Sequence, residues 1–210
     1  MQAEAVDRRP LGIEQDETLA RVCRSVGCVT ASHDAATDDD LARDLSLGVA
    51  IAEFPYTTEL AARYLEEGID VVLGAPNLVR GTSHLGHLSV RDAVVAGAVT
   101  MLCSDYHYPS LLRAPFVMAE LGLSTLAEAW ELVSAAPARA AGLGDRGVLA
   151  RGRRADIIVV EPPGDGFGPR VRSVIVNGEL VFHVGASSGP MPDPVLDRSS
   201  VGSGASVAEA

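Results

Sequence analysis

The segment CVTASHDAATDDDLARDLSLGVAIAEFPYTTELAARYLEEGIDVVLGAPN, residues 28–77, decides the fold of this chain. Short apolar runs begin at residues 28, 49 and 70, so each run starts 21 residues after the one before. The segments between the runs carry apolar residues at helical spacing, and each ends at a glycine, Gly48 or Gly68. Apolar strands that alternate with amphipathic helices are typical of a parallel sheet covered by helices. The segment therefore predicts an α/β fold.

The pattern continues on both sides of this segment. A helix is predicted at Asp16–Val26, a fourth strand at Val99–Cys103, and further helices over residues 110–142. After residue 144 the apolar residues alternate as in strands, and Asn177-Gly178 is a strong signal for a tight hairpin turn. We predict three regions: β/α units over residues 1–144, a small β module over 145–184, and a disordered tail rich in Gly, Ser and Pro over 185–210.

Composition excludes several classes of protein. A chain of 210 residues with 47% hydrophobic residues is globular rather than disordered. We find no apolar run of membrane-spanning length and no signal-peptide core, so we expect a cytoplasmic protein without a membrane partner. The net charge of −11 argues against nucleic acid as a partner, because phosphate contacts need a basic face. All 17 basic residues are arginine, which excludes any chemistry that needs a lysine.

The cysteines do not form a disulfide framework. Three cysteines, Cys23, Cys28 and Cys103, leave at least one unpaired, and their spacing does not fit a zinc knuckle. All three lie in apolar surroundings in the sequence. We therefore expect buried, reduced cysteines that act as small apolar residues.

Polar residues follow each of the four predicted strands. They are His33 with Asp34, then Glu53, Asn77 and Asp105. Because the carboxyl ends of parallel strands lie at one edge of a sheet, we expect these side chains to converge. Imidazole nitrogen and carboxylate oxygen are ordinary ligands of divalent metals, so His33 and Asp105 are the candidate metal ligands. Asp105 is also the candidate catalytic residue, since a carboxylate beside a metal-bound water can accept its proton.

The segment GAPNLVRGTSHLGH, residues 74–87, is predicted to be a loop, and its residues suggest a different role from those of the other strand ends. It contains Arg80 between glycines, a Thr-Ser pair and two histidines, which are the groups that bind phosphate or phosphonate. We expect Arg80 to make the main charge-assisted contact with a phosphate oxygen. A flexible surface loop without a ligand is the alternative interpretation of this segment.

Four motifs in the chain resemble a known family. They are SHDAAT (32–37), AEFPYTTELAA (52–62), GAPNLVRGTSHLGHLS (74–89) and SDYHYPSLL (104–112). They are similar to motifs of the PhnM-type α-D-ribose 1-methylphosphonate 5-triphosphate diphosphatases, amidohydrolase-superfamily enzymes of the carbon–phosphorus lyase pathway. The stretch at residues 134–160 resembles the general superfamily passage from barrel to β module.

The resemblance implies a metal-dependent (β/α)8 barrel, similar to a TIM barrel, that hydrolyses a small triphosphate substrate and releases diphosphate. The implied cofactor is a divalent metal, with zinc as the expected ion. Asp105 matches the aspartate at the end of the last barrel strand, and His33 matches a metal-binding histidine on an earlier strand, which we assign as the sixth. The candidate substrate-binding residues are Asn77, Arg80, Ser83 and His84.

Only the C-terminal half of such a barrel is expected here, because the residues before the β module supply four β/α units and not eight. The metal-binding His pair that opens these barrels is absent from the sequence. We therefore expect an N-terminally truncated chain, a decayed copy, or two chains that complete each other. Open strand edges at both ends of the sheet also predict a homo-oligomer or aggregation.

Two other functions stay open beside the diphosphatase. One is an amidohydrolase that cuts a C–N bond of a cyclic amide. The other is a non-catalytic remnant or assembly protein that kept half of the fold without its metal site. Ala35 and His107 stand where the family commonly has other residues, which leaves the substrate open as well.

Overall fold

A parallel sheet with the strand order β1-β2-β3-β4 organises the first part of the computed structural model, which describes residues 13–81, 88–164 and 166–185. Its strands are β1 (Ala31–His33), β2 (Ile51–Glu53), β3 (Asp70–Gly74) and β4 (Met101–Cys103). The helices are α1 (Ile13–Ser25), α2 (Asp38–Leu47), α3 (Thr58–Glu66), α4 (Ala75–Arg80), α5 (Val90–Val95), α6 (Tyr108–Glu120), α7 (Leu126–Glu131) and α8 (Ala135–Ala140). Each strand of the sheet pairs in parallel with its neighbour in the chain, as predicted.

A second, antiparallel sheet follows. It contains β5 (Ile157–Glu161), β6 (Arg170–Val176) and β7 (Glu179–His183). The predicted hairpin turn joins β6 to β7: Asn177 and Gly178 have φ angles of 53° and 85°, and a two-residue turn of this kind needs positive φ at both positions. The predicted tail lies outside the described residues from residue 186 onward.

The core lies between the parallel sheet and its helices. Ala52, Val71, Leu73 and Leu102 are its buried strand residues. They pack against buried side chains of the surrounding helices, namely Leu41, Leu60, Ala61, Leu78, Val90, Ala93, Ala114 and Met118. Small and branched residues dominate this set, which suits helices that pack closely on a parallel sheet.

One polar contact is buried within this apolar layer. The Tyr64 hydroxyl donates a hydrogen bond to Asp44 Oδ2 over 2.7 Å, and both residues are buried. Burial and the neighbouring Asp44 carboxylate raise the pKa of Tyr64, so the tyrosine stays protonated and remains the donor. The contact ties α2 to α3 below the sheet.

Helix α2 has well-defined ends. Thr37 is its N-cap: Thr37 Oγ1 accepts a hydrogen bond from the Asp40 amide, and the Asp40 carboxylate accepts one from the Thr37 amide. Gly48 ends the helix in the left-handed conformation with a φ of 70°. The boundary at Gly48 agrees with the sequence-based prediction, and threonine at position 37 is a residue type typical of an N-cap.

The structure corrects three predictions about local structure. Residues 75–80, predicted as loop, form helix α4, because Pro76 occupies its first turn, where a missing amide hydrogen costs nothing. Strand β1 begins at Ala31, so Cys28 lies before it and is exposed rather than buried. Cys23 is only half-buried, because the apolar face of α1 is largely exposed in the described part of the chain.

The two edge strands of the parallel sheet are β1 and β4, as predicted. The edge of β4 is partly covered, since the Leu102 amide donates to the Leu132 carbonyl over 2.9 Å. Among the described helices, none is both long and apolar enough to cross a membrane.

We expect Thr37→Ala to lower the free energy of unfolding by about 1 kcal/mol, because it removes the N-cap acceptor of α2. Hydrogen bonds from the Ala36 amide and from Thr37 hold the pKa of Asp40 below its ordinary value of 3.8. A lowered carboxyl pKa stabilises the fold above that ordinary value, and the contribution is lost as the pH falls through the folded-state pKa. Thermal unfolding followed by circular dichroism at neutral and acid pH measures both effects.

Asp39→Asn is the matched control, because Asp39 is an exposed carboxylate in the same helical turn without a capping role. Equal losses in Thr37→Ala and Asp39→Asn would contradict the capping argument.

We also expect the 210-residue chain to self-associate. Leu19, Val22 and Val26 on or just after α1 are 61%, 51% and 72% exposed, and Leu19 lines the same cavity as residues of edge strand β1. Val22→Glu should reduce the mass measured by light scattering. Val95→Glu is the control, because Val95 is 74% exposed on α5, away from that edge. A monomeric native chain would overturn this expectation.

Candidate active site

The carboxyl ends of the four parallel strands carry the polar residues that the sequence singled out. His33 ends β1 and is the register partner of Glu53, which ends β2. Gly74 ends β3 and is the register partner of Cys103, which ends β4. Asp105 follows two residues later. The pairing therefore places all of these residues along one edge of the sheet, as the sequence predicts.

His33 lies between two carboxylates. Its Nδ1 is 3.0 Å from Asp34 Oδ2, and its Nε2 is 3.9 Å from Glu53 Oε2. The His33 and Phe54 rings pack edge to face, with their centroids 5.3 Å apart. The His33 side chain is 56% exposed, so the imidazole is oriented by its neighbours and still open to solvent.

The chain turns sharply after three of the four strands. Asp34, Phe54 and Asp105 have φ angles of 61°, 56° and 46°, in the left-handed region that non-glycine residues seldom adopt. Asp34 and Phe54 directly follow the strand-ending residues His33 and Glu53. Such backbone conformations cost energy and are enriched at functional sites. They bend the chain immediately beyond the side chains that form the edge.

Cys103 lies near the carboxylates of both Glu53 and Asp105 at this edge. Burial, together with the nearby carboxylates of Glu53 and Asp105, raises the pKa of the Cys103 thiol to about 11. Both carboxylates therefore act on the same thiol, although they follow different strands. Sequence analysis treated Cys103 only as a buried apolar residue and named no partner for Glu53. The order of the apolar runs along the chain was the available signal that Glu53 lies on the strand next to that of His33, but the register itself is 20 residues and not the 21 of the sequence spacing.

Helix α4 carries the two described members of the predicted phosphate-binding set. Asn77 is half-buried in its first turn, and Arg80 is exposed at its last residue. The Arg80 guanidinium carbon lies 5.3 Å from the centre of the Tyr106 ring, next to Asp105 in the chain. Ser83 and His84 lie outside the described residues. The structure thus brings Arg80 to the edge that holds Asp105.

The predicted metal site is not complete in the described part of the chain. No group of three or more His, Cys, Asp and Glu side chains there is arranged to hold a metal ion. His33 and Asp105 belong to the two edge strands, with β2 and β3 between them, and the carboxylates within ion-pair distance of His33 are Asp34 and Glu53. The assignment of the His33 strand as the sixth strand of a full barrel stays a prediction, because the described sheet contains four strands.

Comparison with protein families decides the classification. The model described as "Amidohydrolase family" matches residues 2–182. This chain belongs to the amidohydrolase family. The members of this family are metal-dependent hydrolases, which agrees with the family resemblance predicted from the sequence motifs.

A curated relative confirms the predicted resemblance. The chain is 42% identical over 145 residues to the α-D-ribose 1-methylphosphonate 5-triphosphate diphosphatase of Escherichia coli strain K12. The alignment covers 68% of this chain and 38% of the relative. This amidohydrolase chain therefore spans little more than a third of the length of the curated relative that it matches.

Solved structures confirm the fold. An amidohydrolase from Thermotoga maritima MSB8 matches with a TM-score of 0.57 and 21% identity, over 74% of this chain and 44% of that one. Ochratoxinase from A. niger matches with a TM-score of 0.60 and 17% identity, over 89% and 49%. A mutant of atrazine chlorohydrolase from Arthrobacter aurescens TC1, complexed with zinc and atraton, gives 0.57 and 20%, over 82% and 48%. At these identities the likeness establishes the amidohydrolase fold alone.

We expect Cys103 to react slowly with iodoacetamide at mildly alkaline pH, because its raised pKa keeps the thiol protonated. Glu53→Gln and Asp105→Asn each remove a negative charge that raises this pKa, so each should lower the pKa and speed the alkylation of Cys103. Peptide mass spectrometry measures the rate at each cysteine.

Exposed Cys28 provides the internal reference, and its rate should not change in either variant. If Asp105→Asn left the rate at Cys103 unchanged, the convergence of the two strand ends on this thiol would be contradicted.

Proposed function

We propose that this chain contributes the C-terminal part of an active site that hydrolyses the triphosphate group of a phosphorylated ribose 1-methylphosphonate and releases diphosphate. The observation that carries the proposal is the 42% identity to the Escherichia coli diphosphatase over 145 residues. This identity is at least twice the identities of 21% and 17% to the solved amidohydrolases. It favours a phosphoanhydride substrate over the C–N bond of a cyclic amide. The proposed compartment is the cytoplasm.

Asp105 is the proposed general base. In the reaction, a water oxygen forms a bond to the α-phosphorus while the bond from that phosphorus to the bridging oxygen breaks. Diphosphate leaves with the bonding electron pair, and the Asp105 carboxylate accepts a proton from the attacking water. The exposure of Asp105 at the strand edge, next to the half-buried Cys103, supports this role, because substrate and water can both reach it.

Arg80 is the proposed phosphate ligand, with Asn77, Ser83 and His84 as further substrate-binding residues. A guanidinium forms charge-assisted hydrogen bonds with phosphate oxygens. Its position at the end of α4 supports the proposal, because the Tyr106 ring that it contacts directly follows the proposed base in the chain. The Gly81 backbone, with a φ of 81°, turns the chain away directly after it.

The described residues include donor atoms that suit the implied metal, but they do not supply enough ligands for it. His33 and Asp105 offer suitable donor atoms, and we propose them as two ligands of a divalent metal, with zinc as the expected ion. A catalytic zinc takes three protein ligands, and the described part of the chain does not gather three. The remaining ligands therefore come from outside the described residues, and the reaction step above is assigned to Asp105 alone.

The same observation favours a second candidate function. A chain whose described residues do not form a three-ligand metal group is also compatible with a non-catalytic or assembly role. Metal binding separates the two candidates, because an assembly protein has no need of the His33 and Asp105 donors.

We expect the chain to bind zinc weakly, with His33→Ala and Asp105→Asn each abolishing the binding measured by isothermal titration calorimetry. With zinc present, diphosphate release from α-D-ribose 1-methylphosphonate 5-triphosphate, followed by ³¹P nuclear magnetic resonance, should fall by about 10²–10⁴-fold in Asp105→Asn, because the general base is lost. Asparagine tolerates the positive φ at this position.

His183→Ala is the matched control, because His183 hydrogen-bonds Ser173 in the second sheet over 2.9 Å and should influence neither readout. Zinc binding that survives His33→Ala would contradict the ligand assignment. Hydrolysis of dihydroorotate and not of the triphosphate would favour the C–N reaction. Absence of both zinc binding and hydrolysis would favour the assembly role.

A further inference from the structure

Tyr106 is an exposed aromatic residue at the active-site edge, and it has no part in the proposed reaction step. Its side chain is 58% exposed, yet its ring faces the Arg80 guanidinium, with 5.3 Å from Cζ to the ring centre. That distance is within the range of a cation–π interaction. The neighbouring aromatic residue Tyr108 is 79% exposed. Tyr106 is thus less exposed than Tyr108, and it contacts a charged side chain at the protein surface.

The backbone on the Tyr106 side of this contact is fixed by a tight turn. Asp105 adopts a φ of 46°, and the His107 amide donates to the Ser104 carbonyl over 3.0 Å. His107 Nδ1 lies 2.7 Å from Ser110 Oγ, and Ser110 is buried at the start of α6. The turn that places Asp105 thus also determines where the Tyr106 ring lies.

The backbone on the Arg80 side is fixed as well. The Gly81 amide donates to the Asn77 carbonyl over 3.0 Å and closes α4 directly after Arg80. Arg91 Nε donates to the Leu78 carbonyl over 3.1 Å, and its guanidinium fills the space beside Gly81, where a Cβ atom would come within 2.6 Å of Arg91 Cζ. The backbone of Arg80 is therefore held directly after the last turn of α4.

We propose that Tyr106 is a positioning residue that holds the Arg80 guanidinium at the end of α4, ready to bind a phosphate group of the substrate. The inference rests on the proposed function, in which Arg80 is the phosphate ligand. A cation–π contact uses the face of the ring and consumes none of the N–H donors of the guanidinium. A side chain ordered before the ligand arrives loses less conformational entropy on binding. The contact thus orders Arg80 without competing with phosphate.

The test is a double-mutant cycle on the 210-residue chain, with inorganic triphosphate as the probe and isothermal titration calorimetry without added metal as the measurement. We expect Tyr106→Ala to weaken binding by about two- to five-fold, which is the worth of an exposed cation–π contact. Tyr106→Phe keeps the ring and should bind like the native chain. Tyr108→Ala is the matched control and should leave binding unchanged. In the Arg80→Ala background, Tyr106→Ala should have no further effect.

A second measurement follows the contact without any ligand. The Tyr106 ring should shift the nuclear magnetic resonance signals of the Arg80 side chain upfield, and Tyr106→Ala should return them to ordinary values while Tyr106→Phe should not. Absence of this shift would overturn the inference. So would weaker binding in Tyr106→Ala that persists in the Arg80→Ala background, because the tyrosine would then contact the ligand itself. If the shift is present but Arg80→Ala binds triphosphate like the native chain, the phosphate role in the proposed function fails and not the contact.

Discussion

Parallel hydrogen bonding between strands that follow one another in the chain is the constraint on which the rest of this structure depends. The register sets His33 level with Glu53 and Gly74 level with Cys103. The Thr100 hydroxyl strengthens the ladder where β4 begins, since it accepts from the Val71 amide and donates to the Val71 carbonyl. Because every strand runs in the same direction, every loop that carries a polar group leaves the sheet at the same edge.

Several carboxylates lie at the edge of the sheet where the strands end. Asp34, Glu53 and Asp105 are carboxylates around His33 and Cys103, and the charges of Glu53 and Asp105 raise the pKa of the Cys103 thiol. Carboxylates gathered in this way repel one another unless a cation balances them. Arg80 brings one positive charge to the edge, and the donor atoms of His33 and Asp105 are those that a divalent metal prefers. This local balance of charge is compatible with the proposed binding of an anionic substrate by an acidic chain.

Much of the fold could be predicted from the sequence, because apolar periodicity and turn residues report local structure directly. The helix ends at Thr37 and Gly48 and the Asn177-Gly178 turn are cases in which one residue type determines one conformation. Helix α4 was missed because Gly74 and Pro76 have the composition of a turn, although proline is equally suited to the first turn of a helix.

The site was predicted in its location and only partly in its contacts. The ends of strands could be found from the pattern, so His33, Glu53 and Asp105 were placed at one edge. Which of them touch depends on strand order and register, which no single segment contains. The exposure of Cys28 likewise depends on which elements cover β1, and the contact between Arg80 and Tyr106 joins helix α4 to the turn before α6, which follow different strands.

The left-handed residues at the strand ends also have a consequence for how this edge can evolve. Asp34, Phe54 and Asp105 each hold a backbone conformation that costs about 1–3 kcal/mol, and glycine would relieve that strain at any of them. Relief would remove a side chain that orients His33 or, at position 105, the proposed base itself. Selection for stability and selection for activity therefore act in opposite directions at these three positions. A chain freed from the need to catalyse would be expected to accumulate glycine there first.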